Sequence, residues 1–146
     1  MHKLDEIMKA FGEKIGVADL SPDEDGVYHL ELDERPVSIM EIVECDQAVV
    51  WTNIGDLPSE GLEAFYRQVM AAMSPAGDAD GSVLSIKPES NVLCLHRVED
   101  LRTLDLVSFV ADLEKFADML DRWTVRLADF RPQTESVGVE AGFMRI

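Results

Sequence analysis

The side chains able to bind a metal or act as nucleophiles are few and scattered. The 146-residue chain carries three histidines, His2, His29 and His96, and two cysteines, Cys45 and Cys94. No histidine has a second ligand at the offsets that zinc sites use, and neither cysteine belongs to a Cys-x-x-Cys pair. A Cys–His nucleophilic pair is open to any chain that holds both residues, so co-occurrence alone singles out nothing. Two acidic loops invite a calcium reading. In Asp23-Glu24-Asp25-Gly26 the glycine would be the sixth residue of a loop starting at Ser21, but the twelfth is then Leu32, where a bidentate Glu is needed. Asp78-Ala79-Asp80-Gly81 brings its glycine two places early. No Gly-rich phosphate loop follows a strand pattern, and no Gly-x-Ser-x-Gly elbow occurs. No carboxylate pair stands apart for acid–base work. The expectation is a protein with no catalytic residues, no metal and no cofactor, hence not an enzyme.

Charge narrows the partners. Lys and Arg number 13 against 29 Asp and Glu, a net charge of −16. Nucleic acid and anionic membranes need cations to neutralise phosphate, so both are disfavoured. A partner that is basic, or apolar with basic flanks, fits better; the alternative is that acidity only confers solubility. Apolar residues make up 47% of the chain, enough for a real core and one domain. No stretch approaches the roughly 20 apolar residues of a membrane helix. The opening Met1-His2-Lys3-Leu4-Asp5-Glu6 lacks the apolar run of a signal peptide. A cytoplasmic location is therefore expected, without membrane insertion. Cys45 and Cys94 fall in apolar, strand-like stretches, where buried reduced thiols are the ordinary state; a disulfide between them is left open.

The elements come from periodicity. Residues 3–16 read as an amphipathic helix with Leu4, Ile7, Met8, Phe11 and Ile15 at helical spacing and Gly16 as its stop. Gly12 inside it costs about 1 kcal/mol relative to Ala, which a close packing partner would explain. After the turn-rich Ser21–Gly26, three strands follow at 27–33, 36–44 and 48–54. The first alternates, with Tyr28, Leu30 and Leu32 opposite His29, Glu31 and Asp33. The next two are apolar on both faces. Turns this short dictate an antiparallel meander, because parallel strands need long crossovers. A second helix spans about 60–74, with Leu62, Phe65, Tyr66, Val69, Met70 and Met73 on a wide face. The loop Ser74–Gly81 leads to strands at 82–87 and 91–98, joined by a hairpin turn. A last helix covers about 104–130, with Thr103 as N-cap and Phe116 and Trp123 in its buried stripe. The chain is thus an α+β domain over residues 1–131, of order α-β-β-β-α-β-β-α with a twisted antiparallel sheet, followed by a tail at 132–146. One layer of helices covers one face of a sheet, so the remaining apolar faces need another partner unless helices pack on both sides.

This ordered set resembles the class I type III secretion chaperones, the Tir chaperone (CesT-like) family. The resemblance rests on Leu4…Phe11…Ile15-Gly16, on the first strand Asp25-Gly26-Val27-Tyr28-His29-Leu30-Glu31-Leu32-Asp33, and on Ile54-Gly55-Asp56-Leu57-Pro58 leading to Phe65-Tyr66-Arg67-Gln68-Val69-Met70. The strand Val83–Ile86 and the closing helix with Phe109, Leu113, Phe116, Trp123 and Leu127 complete it. It implies a homodimer that binds the N-terminal segment of a secreted effector protein in extended form and keeps it soluble for export. A non-secretory adaptor of the same fold is the alternative. Holding an extended chain calls for apolar pockets and free strand edges, and flexible Met side chains suit varied partners. On this reading Leu4, Ile7, Met8, Phe11, Met40 and Trp51 face the effector, and Phe65, Val69, Met70 and Met73 form the dimer interface.

Overall fold

A computed structural model describes residues 3–17 and 19–132. The elements run α1 (Lys3–Ile15), β1 (Val27–Leu32), β2 (Arg35–Ile42), β3 (Gln47–Asp56), α2 (Leu62–Ala72), β4 (Val83–Ile86), β5 (Val92–Asp100) and α3 (Leu106–Asp129). The order is the one the periodicity dictates. All strand pairings are antiparallel, and the sheet order is β1-β2-β3-β5-β4, so β1 and β4 are its edges. Asp33 and Glu34, both at positive φ, make the two-residue turn between β1 and β2. The expected tail lies outside the described residues from 133 onward.

Alternation along each strand sends one set of side chains into the core. Tyr28, Leu30, Val37, Ile39, Val50, Leu84, Leu93 and Leu95 are all buried on that side. The three helices cover it. α3 is the spine: Phe109, Leu113, Phe116, Leu120 and Trp123 are buried at the expected spacing, with Met119 beside them. α1 packs on its first half, with Phe11 edge-on to Phe109 at 5.6 Å between centroids. α2 packs on its second half, with Phe65 edge-on to Trp123 at 6.2 Å. The Tyr28 hydroxyl donates to the Asp5 carboxylate and pins α1 to β1. Gly12 has its packing reason: a Cβ there would stand 2.9 Å from the Val17 carbonyl oxygen, where the chain folds back after α1.

Three local expectations are corrected. Asp105, not Thr103, caps α3: its carboxylate accepts the Ser108 N–H at 2.8 Å, and the Ser108 hydroxyl accepts the Asp105 N–H in return. β5 runs on two residues past the expected end at 98, to Asp100, because Glu99 and Asp100 continue the pairing with Ala48 and Gln47 of β3, and the inward Glu99 is matched by Arg97 at 3.0 Å. The cysteines are not buried. Cys45 is exposed in the 3-10 turn Val43–Cys45, Cys94 is half-buried on the outer sheet face, and neither forms a disulfide.

Candidate functional site

The face of the sheet away from the helices carries an apolar groove. Because side chains alternate, Met40, Val49, Trp51 and Val98 point outward while their neighbours fill the core. The strand register brings them together: Met40 pairs with Val49 and Val49 with Val98 across three strands. The next outward row is His29, Ser38, Trp51, His96 and Val83, one from each strand. The groove holds about 500 Å³, and Asn53, Cys94, Lys87 and Pro88 also line it. Burial raises the Cys94 thiol above its ordinary range, and Cys94 Sγ donates to Asn53 Oδ1 at 3.2 Å, so this thiol is not primed for attack.

A second groove, of about 290 Å³, runs between α2 and the edge strand β4. Tyr66, Val69 and Met70 supply one wall, and Leu84, Ile86 and Leu93 the other. Met70 is 71% exposed and Ile86 42%, an apolar surface left open to water. Ser85 and Ile86 line both grooves, so β4 is the ridge between them.

The structure divides the sequence-predicted residues. Met40 and Trp51 stand together in the outer groove, as placed by their strand parity. Leu4, Ile7, Met8 and Phe11 do not join them. They are between 0% and 6% exposed and belong to the core, because α1 turns its apolar face inward onto α3. In this fold they hold α1 and offer no surface to a partner. Phe65 is likewise fully buried, against Trp123 and Phe130. Val69 and Met70 line the α2–β4 groove, and Met73 sits at its margin with Sδ accepting the Leu84 N–H. Val49, Val98, Tyr66 and Ile86 were not singled out. For Val49 and Val98 the signal was the shared outward parity with Met40 and Trp51.

The polar clusters are accounted for locally. Ser38 Oγ lies 3.3 Å from His29 Nδ1, and His29 Nε2 lies 2.8 Å from Asp23 Oδ2, the order of a nucleophile relay. The His29 side chain is 61% exposed on an open sheet face, without the enclosure such chemistry needs. Asp23 instead orders the turn before β1, accepting the N–H groups of Asp25 and Val27. The hydrogen bond from His29, then that from Val27, holds its carboxyl below the usual range. The other acidic loop is consumed by Arg122 and Arg126, which both reach Asp78. Among the described residues no group of three or more His, Cys, Asp and Glu could hold a metal ion. No described helix is long and apolar enough to cross a membrane.

The sequence from α1 into α3, residues 6–124, matches the model of the Tir chaperone protein (CesT) family. The chain belongs to this family. Its fold recurs in a chain of the ExsC–ExsE complex, at TM-score 0.66 and 20% identity, covering 86% of this chain and 93% of that one. A chain of the HopA1–SchA chaperone–effector complex aligns at TM-score 0.70 and 9% identity, covering 84% and 93%. A chain of the complex of the Yersinia pestis type III secretion chaperone SycH with a stable fragment of YscM2 gives TM-score 0.62 at 14% identity, covering 84% and 97%. No curated protein matches the sequence. The three helices over one face of a five-stranded antiparallel sheet are thus the architecture of CesT-family chaperones, and the two grooves are apolar surfaces that the described residues leave open on it.

Proposed function

We propose that this chain is a cytoplasmic type III secretion chaperone without enzymatic activity. It binds the N-terminal segment of a secreted effector in extended form and keeps it soluble and competent for export. The observation that carries this reading is the apolar face of Met40, Val49, Trp51 and Val98, which no described residue covers, in a member of the CesT family. An extended segment laid there would put alternate side chains against the groove, and Met40 adapts to their shape. The similar structures, a chaperone–effector complex among them, support an effector as the partner. We further assign the α2–β4 groove to a second copy of the chain, with Val69, Met70, Tyr66 and Ile86 at the contact. A two-fold axis beside an edge strand lets each copy cover the other's apolar wall.

The test is co-purification followed by mass spectrometry and limited proteolysis of the complex. A secreted protein should be recovered, with its protected segment near the N-terminus. The double variant Met40→Asp and Trp51→Asp should fold and recover none. Retention of the partner by that variant, or protection of a folded domain instead, would sink the proposal.

A further inference from the structure

A buried cluster of charged groups ties together β5, α3 and the connection from α2 to β4. The Arg97 and Glu99 side chains, both turned to the helix side of β5, are 13% and 6% exposed. Arg97 Nε donates to Glu99 Oε1 at 3.0 Å, Nη2 meets Asp112 Oδ1 on α3 at 3.1 Å, and Nη1 donates to the Asp80 carbonyl oxygen at 2.7 Å. One guanidinium thus spans three elements. Its fit at the connection is close. A Cβ on Gly81 would come within 2.8 Å of Arg97 Nη1, and both Asp80 and Gly81 hold positive φ.

The charge count does not balance. Arg97 brings one positive charge to two carboxylates. On β3, the residues opposite Arg97 and Glu99 are Val50 and Ala48, which add none. Lys115 and Asp80 lie with Asp118 and Arg122 at the solvent edge of the connection. A buried excess charge is costly, and a proton shared between the carboxylates removes it. We propose that Arg97, Glu99 and Asp112 form a proton-operated latch: with a proton between the carboxylates it fixes residues 77–82 and the start of β4 to β5 and α3, and with both ionised it lets them go.

The release route follows from what anchors each element. β5 is held by pairing with β3 over nine positions, and α3 by the core. The connection gives most easily, since opening it admits water to the excess charge. The working range is near neutral. Burial first, then the hydrogen bond and charge of Asp112, push the Glu99 carboxyl up to about 7, against the pull of Arg97. A carboxyl raised in the folded state stabilises the fold fully below its ordinary range, and that contribution is lost as pH climbs through the raised value. Because β4 separates the two grooves, the latch reaches the surfaces assigned above, a consequence that rests on the proposed function; the latch itself does not.

The experiment uses the unbound protein. Thermal and urea unfolding are followed from pH 5 to 8.5 for the wild type, Glu99→Gln and Asp112→Asn, with backbone amide exchange at residues 79–84 corrected for intrinsic rate. The wild-type folding equilibrium constant should fall roughly tenfold to a hundredfold between pH 5 and 7.5 relative to Glu99→Gln, then level. Exchange at residues 79–84 should accelerate over the same interval while β3 stays protected. A Glu99→Gln variant that keeps the wild-type slope overturns the latch. So does wild-type exchange at 79–84 that follows the intrinsic rate alone, a readout that needs no variant to fold.

Discussion

Phe11 of α1 and Phe109 of α3 meet edge to face, centroids 5.6 Å apart and planes at 85°. Phe11 is 6% exposed and Phe109 fully buried. Such a pair adds about 0.5–1.5 kcal/mol to the burial of the rings. Phe11 therefore serves the attachment of α1, and its loss should be felt as stability. Phe11→Ala is expected to cost about 3–5 kcal/mol in urea unfolding. Phe11→Asp, which adds an unpaired buried charge, should prevent folding. A Phe11→Asp variant with wild-type stability would put α1 back among the surface elements.

Met70 is the opposite case on the neighbouring helix. It is 71% exposed, so Met70→Asp should change the stability of the folded monomer by no more than about 0.5 kcal/mol. At the contact between two copies the same carboxylate would be buried against its own symmetry mate. Light scattering at micromolar concentration should give a dimer for the wild type and a monomer for Met70→Asp. A wild-type monomer, or a dimer that survives the substitution, would free the α2–β4 groove for another occupant.

Element order and the antiparallel neighbours within each hairpin were legible because the chain states them locally; the place of β5 between β3 and β4 was not, since it joins strands distant in sequence. Short turns such as Asp33-Glu34 force antiparallel neighbours, and the alternation of β1 states its parity; β2 and β3 are apolar on both faces, and it is their register that puts Met40 and Trp51 on one face. The helices were harder. An apolar stripe such as Leu4, Ile7, Met8 and Phe11 says that a face is covered, and is silent on whether the cover is the chain's own α3 or a partner. Phe65 failed for the same reason: its cover is Trp123, 58 positions away. The latch was invisible because Arg97 and Glu99 are ordinary surface residues by type. Only the register against β3 and the arrival of Asp112 bury them.

The net charge of −16 enters through the rate of encounter. The outer groove is walled by Met40, Val49, Trp51 and Val98, and its ionisable side chains among the described residues are Lys87, Cys94 and His96, with no carboxylate among them. The acidic residues thus act on an approaching basic segment from a distance, where salt screens them, and contribute little once the segment is seated. Raising NaCl from about 50 mM to about 500 mM cuts the screening length from roughly 14 Å to roughly 4 Å. Stopped-flow binding of the co-purified effector segment should then show association slowing several-fold while dissociation changes by less than about twofold. Dissociation that accelerates with salt would place a carboxylate in direct contact with the cargo. Rates indifferent to salt would leave the acidity to solubility alone, and the apolar groove as the whole of the recognition.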